Sequence, residues 1–214
     1  MTTKLSNDLL AALEESLKEL DFTREKKRSQ SYLRKYEWGL GAVHTTIIRH
    51  DGQFDVKADI ALRIHKVEEL IGAIEKSPDR KSMTIGIEFG NLLDGRPRRW
   101  TIADSSGIET VVEEITRLVE TIALPYFENH SQLRNIFALL TANDKNAAKH
   151  CPLNGERAKR VIAVAHLLDD ESPKSPEALV KSNVAVLKEI NDFGLADFES
   201  FAKGIIDMRA GSQK

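Results

Sequence analysis

The chain has 214 residues, of which 41% are hydrophobic and 30% are charged, a composition typical of a soluble globular protein. Its 31 basic and 33 acidic residues give a formal net charge of -2, so charge does not indicate a nucleic acid or an acidic lipid as partner. The single cysteine, Cys151, excludes an internal disulfide. No secretory signal is recognisable and no run approaches the roughly 18 apolar residues of a membrane span, so we expect a cytoplasmic protein.

The first predicted element is an amphipathic helix that Ser6 or Asn7 would cap. Leucines recur along one face at spacings of three and four residues: Leu9, Leu10, Leu13, Leu17 and Leu20. The basic run over 24–28 then predicts a solvated loop. From residue 31 the period changes to two, and the alternation over 32–38 predicts a strand at the edge of a sheet.

Three aromatic residues share one face of that strand, namely Tyr32, Tyr36 and Trp38. Aromatic side chains are enriched among the anchors of protein interfaces, so we take these three as candidate binding residues. The other interpretation is that they pack beneath the N-terminal helix.

The Asp51-Gly52 pair stands between two runs in which apolar and polar residues alternate. Such a pair is a strong signal for a β-hairpin, because both residues of its tight turn need positive φ. The runs over 42–49 and 54–64 are therefore predicted to be paired strands. One face is predicted to lie on the core: Val43, Thr45, Ile47, Phe54, Val56, Ala58, Ile60, Leu62 and Ile64.

The opposite face of the hairpin carries the candidate catalytic residues His44, Asp59, His50 and Asp55. A two-residue turn sets His44 opposite Asp59, and a histidine oriented by a carboxylate is the geometry of a general base or a supported metal ligand. The alternative is a solvated sheet face, whose cross-strand charge pairs stabilise by only about 0.2–1 kcal/mol. We expect no cofactor and no tightly bound metal, and stoichiometric zinc lost on replacing both histidines would overturn this.

The sequence next predicts a helix and two further strands, over 65–76, 83–89 and 98–102. Ser106 and Glu109 predict a capping box at the start of a long amphipathic helix, and Pro125 predicts its end near Leu124. The most apolar faces of these elements are expected to pack together: Ile85, Ile87, Trp100, Ile115 and Leu118.

Beyond residue 128 every segment has helical periodicity, and Ser175-Pro176 predicts a helix start. We therefore divide the chain into an α+β domain, 1–128, and a helical extension, 129–214, packed on it. Phe193, Phe198 and Phe201 add apolar area to the last predicted helix. The groove between the two parts is the expected binding surface.

Six motifs follow one another over about residues 1–128. They are a Leu-rich helix ending in Phe22, Tyr32 on the first strand, the strand-turn IEFGNLLDG, the strand Trp100-Thr101-Ile102, a loop at Asp104, and a helix ending in Leu124-Pro125-Tyr126-Phe127. This order of motifs resembles a bacterial family known as domain of unknown function 4304. The resemblance implies a fold. It brings no catalytic residues, and the helical extension lies outside it.

Together these patterns predict an α+β fold with an antiparallel sheet of four to five strands, helices on one face, and a C-terminal helical subdomain. No G-x-S-x-G, H-E-x-x-H or glycine-rich phosphate loop occurs in the sequence. We favour a non-catalytic bacterial binding protein with a protein partner, such as an immunity or conflict-system accessory protein. A small hydrolase or metal-dependent enzyme using the sheet-face His/Asp cluster is one alternative, and a ligand-sensing module is the other.

Overall fold

The computed structural model describes residues 2–26, 29–77, 81–142 and 144–212. These residues form a six-stranded antiparallel sheet and a set of helices, which confirms the predicted fold class. The strands are β1 (Thr23–Arg24), β2 (Ser31–Tyr36), β3 (Gly39–Arg49), β4 (Phe54–Ile64), β5 (Ile85–Glu88) and β6 (Trp100–Ile102). The strand beyond the predicted four to five is the two-residue β1, which pairs with β2 where the sequence predicted a loop.

The helices of the first half are α1 (Thr2–Lys18), α2 (His65–Ile74), α3 (Phe89–Leu93), α4 (Ser106–Leu118) and α5 (Leu124–His130). Those of the second half are α6 (Leu133–Thr141), α7 (Lys145–His150), α8 (Asn154–Leu168), α9 (Pro176–Glu189) and α10 (Leu195–Ser212). In the described part of the chain, no helix is both long and apolar enough to cross a membrane.

The chain divides into two compact units. The sheet unit comprises Met1–Leu62 and Gly86–Asn129, and the helical unit comprises Arg63–Ile85 and His130–Lys214. This division differs from the predicted one at residues 63–85, which belong with the C-terminal helices because α2 packs against α8. The predicted groove between residues 1–128 and the extension stays a prediction.

The sheet has the strand order β1-β2-β3-β4-β5, with β6 paired to the other end of β4. Phe54 of β4 lies opposite Ile102 of β6, and Tyr32 of β2 lies opposite Val43 of β3. Side chains alternate strictly along β4, as the sequence predicts for a half-buried strand. Its buried residues are Phe54, Val56, Ala58, Ile60, Leu62 and Ile64, which confirms the predicted core face of this strand.

The turn between β3 and β4 has the expected closing hydrogen bond but not the expected backbone. The His50 amide donates to the Gln53 carbonyl at 2.9 Å, as in a loop of two residues. Gly52 has φ +77°, whereas Asp51 does not lie in the left-handed region. The assumption that both turn residues have positive φ was therefore wrong, and Gly52 alone supplies that conformation.

Helix α1 packs its predicted leucine face against the sheet unit's core. Leu9, Leu13 and Leu17 are completely buried, and the buried Tyr32 hydroxyl donates to the Leu10 carbonyl at 3.0 Å. The predicted cap was wrong, because α1 begins at Thr2 and the candidate caps lie inside the helix.

Helix α4 begins at Ser106, and its N-cap residue Ser105 makes no side-chain capping bond. The capping side chain is that of Asp104, so the predicted cap Ser106 was wrong. The Asp104 Oδ1 accepts hydrogen bonds from the Ser106 hydroxyl at 2.5 Å and the Ser106 amide at 2.9 Å. Both bonds lower the pKa of the Asp104 carboxyl, the bond from the Ser106 hydroxyl more than the bond from its amide, because they stabilise the charged form of the carboxyl. A carboxylate at this position also complements the positive end of the helix dipole.

Pro125 does not end the helix, contrary to the sequence-based expectation. Helix α4 continues through a π-helical segment, Val119–Ala123, directly into α5. The Leu124 amide donates to the Val119 carbonyl, five residues earlier. A proline ring clashes with the carbonyl four residues before it in a regular α-helix, so this wider turn lets the chain stay helical through Pro125.

In the helical unit, the predicted start of α9 is confirmed. The Ser175 hydroxyl accepts a hydrogen bond from the Ala178 amide at 3.3 Å, and Pro176 occupies the first helical position. Helix α7 was not predicted. It is capped by Asp144, whose carboxylate accepts from the Ala147 amide at 2.8 Å.

The expected core residues are all buried: Ile85, Ile87, Trp100, Ile115 and Leu118 are at most 7% exposed. Ile115 is fully buried on α4, so Ile115→Ala should lower the free energy of unfolding by about 2–5 kcal/mol, measured by urea denaturation. Glu113→Ala, on the exposed side of the same helix, is the control and should change stability by less than about 0.5 kcal/mol. Equal effects of the two changes would contradict the packing of α4.

Candidate functional site

The outward face of the sheet brings together two of the four predicted catalytic candidates. The His50 Nε2 and Asp55 Oδ2 atoms lie 3.0 Å apart. The Thr101 hydroxyl donates to the other Asp55 oxygen at 2.7 Å. The hydrogen bonds from Thr101 and then His50 lower the pKa of Asp55, so the carboxylate is ionised and fixed on both sides.

The other two candidates make different contacts. The His44 Nδ1 atom lies 2.8 Å from the Ser31 hydroxyl on β2, and Asp59 forms an ion pair with Lys57 at 2.8 Å. The candidates thus form one pair and two separate contacts, and not a single cluster. Among the described residues, no group of three or more His, Cys, Asp or Glu side chains is placed to hold a metal ion.

Ion pairs continue across this face through Glu88, which is only 10% exposed. Its carboxylate lies 3.4 Å from the Lys57 ammonium and 2.9 Å from the Arg99 guanidinium, and it accepts a hydrogen bond from the Arg98 amide at 2.9 Å. Desolvation opposes the charge of Lys57, but the carboxylates of Asp59 and Glu88 more than offset it and raise the Lys57 pKa. These groups satisfy one another, which is what a solvated structural sheet face requires.

The three predicted binding aromatics have different environments. Tyr32 is fully buried, and its burial raises the pKa of the phenol to about 12. Tyr36 and Trp38 stack with their ring centroids 4.5 Å apart, and both are half-buried. The Arg34 guanidinium lies 5.2 Å from the Tyr36 ring centroid, a cation–π contact. Tyr36 and Trp38 are therefore the members of this group that a partner can reach.

The helical unit contains buried charges that the sequence did not indicate. Arg157, Lys159 and Arg160 on α8 are each at most 7% exposed, and Glu68 on α2 is fully buried. The Arg160 Nε donates to the Glu68 carboxylate at 3.1 Å. A second guanidinium nitrogen of Arg160 donates to the Met83 carbonyl at 2.9 Å. An ion pair is tolerated in such surroundings when further hydrogen bonds satisfy its donors.

Lys159 extends this buried cluster towards the surface. Its ammonium lies 2.6 Å from the Glu75 carboxylate and 3.1 Å from that of Glu156. Desolvation works against the charge, but these two carboxylates outweigh it and raise the Lys159 pKa. Lys159 is therefore a fixed cation between two helices.

A cleft of about 260 Å³ lies beside the start of α8 and the loop that leads into α10, and Lys159 forms part of its wall. Phe193 at its edge is 90% exposed and Leu153 is 55% exposed. A wider depression of about 410 Å³ shares Lys159 and Asp197 with the cleft. Large apolar side chains exposed together around a concavity are typical of binding surfaces.

The backbone forces Phe193 outward. Helix α9 ends in a Schellman motif, in which the Asp192 amide donates to the Leu187 carbonyl at 2.9 Å and Asn191 has φ +49°. Asp192 also accepts a hydrogen bond from the Asn154 side chain at 3.0 Å. Residues on both sides of Phe193 are thus held against α8, so its ring projects into solvent.

The other neighbour of Phe193 is a glycine for steric reasons. A Cβ atom placed on Gly155 would lie 3.1 Å from the Cα of Gly194, so the backbones of α8 and the loop approach as closely as two glycines allow. The assignment of Phe193 to the last helix was wrong, because α10 begins at Leu195, whereas Phe198 and Phe201 of that helix are buried. The run Asn-Asp-Phe-Gly is rich in turn-forming residues and is the signal that could have indicated an exposed loop.

Carboxylates dominate the charge of the cleft. Among the described residues that line it, Glu156, Asp192 and Asp197 carry negative charge and Lys159 alone carries positive charge. Asp197 is exposed in the first turn of α10, where the helix dipole offsets part of its charge. The cleft therefore combines apolar edges with a negatively charged wall.

No protein-family model matches the sequence, and neither a curated protein nor a solved structure is detectably similar to it. The resemblance to domain of unknown function 4304 therefore stays a prediction.

The buried ion pair can be tested by a double-mutant cycle. Glu68→Leu leaves the Arg160 guanidinium without its buried partner and should lower the free energy of unfolding by about 3 kcal/mol. Adding Arg160→Met to this variant should recover most of that loss. Glu171→Ala is the control, because it removes the exposed Arg134–Glu171 pair of the same unit and should cost less than about 1 kcal/mol. A similar cost for both pairs would show that burial of Glu68 is not important.

The pH dependence of stability can be tested at His150, which is 5% exposed. Burial, followed by the nearby charges of His130 and Lys149, lowers the His150 pKa to about 4. Between pH 6.5 and about 4 the unfolded chain binds a proton that the folded chain does not, so stability should fall as the pH falls through this window. His150→Gln should flatten that part of a stability–pH curve obtained by urea denaturation. An unchanged slope in this variant would contradict the assignment.

Proposed function

We propose that this chain is a non-catalytic binding protein of the bacterial cytoplasm, whose partner is another protein held at the cleft beside Phe193. The observation that carries the proposal is the fixed exposure of this ring, which is 90% exposed although the residues on both sides are hydrogen-bonded or packed against α8. Aromatic anchors of this kind supply much of the binding energy of protein interfaces. A partner that buries Phe193 removes its apolar area from water, which stabilises the complex relative to the isolated chain.

The cleft also favours a particular partner chemistry. An apolar side chain of the partner would pack against Phe193 and Leu153, and a lysine or arginine beside it would approach Asp197. Rim charges of this type contribute mainly to association rate and specificity. The partner surface that fits is therefore apolar with a flanking cation.

The proposal includes the finer assignment as an immunity or other conflict-system accessory protein, and membership of the domain of unknown function 4304 family. Both rest on the sequence resemblance and on analogy with small bacterial binding domains, and not on the geometry of the cleft. A gene for an exported toxin directly beside this one would support the immunity assignment. Its absence would remove that assignment and leave the binding surface as a separate question.

A hydrolase is the second candidate, and one observation favours it. Asp55 fixes the His50 ring from one side while Thr101 fixes Asp55, which is the arrangement of an oriented general base. We rank it second because the neighbouring Lys57, Glu88 and Arg99 are engaged with one another.

The binding surface is tested by Phe193→Ser, assayed by titration calorimetry with the protein encoded beside this gene. The change should weaken binding by at least about tenfold, because a central aromatic anchor typically contributes 1.4 kcal/mol or more. Leu93→Ser is the matched control, since Leu93 is 41% exposed in the sheet unit and lies outside the cleft; it should bind as the natural chain does. Equal affinity of both variants would exclude the cleft as the interface. Loss of binding in Trp38→Ser alone would move the interface to the stacked aromatics of the sheet unit.

A further inference from the structure

A second cavity of the helical unit, of about 210 Å³, lies between α6, α8 and α9. Its inner part is formed by core side chains that are at most 3% exposed: Leu140, Val161, Leu179 and Leu187. Its mouth carries polar residues, of which Lys174 and Ser182 are exposed. The cavity is therefore apolar at its base and polar at its opening.

Two cations line this cavity. The Arg157 side chain is buried in its wall, and it donates to the Cys151 carbonyl at 2.7 Å and to the Asn154 side-chain oxygen at 2.5 Å. Lys174 stands at the mouth. Among the described residues that line the cavity there is no carboxylate, in contrast to the three that line the cleft beside Phe193.

The hydroxyl protons of Thr141 and Ser182 in the cavity lining are already used in hydrogen bonds. The Thr141 hydroxyl donates to the Phe137 carbonyl at 2.6 Å, and the Ser182 hydroxyl donates to the Leu179 carbonyl at 3.1 Å. Their protons are used within their own helices, and Arg157 donates to Cys151 and Asn154. The exposed ammonium of Lys174 is therefore the cation that a ligand at the mouth can reach.

We propose that this cavity is a binding site for a small amphiphilic anion, a carboxylate with a short aliphatic tail. The tail would occupy the space over Leu140, Val161 and Leu187, and the carboxylate would lie at the cationic side near Lys174. The volume is below the roughly 300–1,000 Å³ of pockets for drug-sized ligands, which restricts the tail to a few carbons. An inorganic anion fits less well, because it would lose its hydration against the apolar base without gaining polar contacts there.

The test is a titration of the full chain with hexanoate, followed by two-dimensional amide NMR. Three probes separate the requirements: hexan-1-ol has the tail without the charge, hexylammonium has the opposite charge, and inorganic phosphate has negative charge without the tail. Hexanoate should produce saturable shifts at the amides of Ser182 and Asn183. Each of the other three should bind at least about tenfold more weakly.

Two exposed lysines provide a matched pair of variants. Lys174→Gln removes the cation at the mouth and should weaken hexanoate binding about tenfold, whereas Lys181→Gln removes an exposed charge of α9 that does not line the cavity and should leave binding unchanged. Ser182→Trp should close the mouth and abolish the saturable shift at the Asn183 amide without altering the buried base.

Saturable binding of hexanoate that depends on Lys174 and not on Lys181 supports the site. The proposal is overturned if hexanoate shows no saturable binding, if hexan-1-ol or phosphate binds equally well, or if both lysine variants behave alike. This test is separate from the test of the proposed function. Phe193→Ser should retain hexanoate binding whether or not the cleft binds a protein partner.

Discussion

The ion pair between Glu68 and Arg160 is the constraint on which the helical unit depends. It joins residues 92 positions apart in the sequence, with Glu68 fully buried and Arg160 5% exposed. A charge in these surroundings is tolerated only where its partner and its remaining hydrogen bonds have good geometry, which fixes α2 against α8 in one register. This is why residues 63–85 belong with the C-terminal helices although they begin with the last two residues of β4.

The position of α8 in turn determines both concave surfaces of this unit. Lys159, next to Arg160, is held by Glu75 and Glu156 and forms the wall of the cleft. At the start of the same helix, Gly155 admits the loop that carries Phe193. A shift of α8 by one residue would replace Gly155 with a side chain and push that loop away, so the exposure of Phe193 depends indirectly on the buried charges.

The sequence predicted what depends on local pattern and missed what depends on distant partners. The faces of β4 followed from alternation, and the start of α9 followed from Ser175-Pro176, because both signals lie within a few residues. Three adjacent residues that can cap a helix, Asp104 to Ser106, made the true cap of α4 ambiguous. The sequence predicts Arg160 to be a surface residue because charged side chains are rarely buried. Its burial depends on partners far away in the sequence, the Glu68 carboxylate and the Met83 carbonyl. Phe193 was assigned to the last helix together with Phe198 and Phe201, although the turn-forming residues around it indicate a loop before Leu195.

The two concave surfaces meet at one side chain, that of Asn154. Its oxygen accepts a hydrogen bond from Arg157 on the cavity side, and its nitrogen donates to Asp192 on the cleft side. Replacing Asn154 would remove both of these hydrogen bonds at once. The wall of the cavity and the loop that carries Phe193 are therefore fixed by the same side chain, at the start of α8.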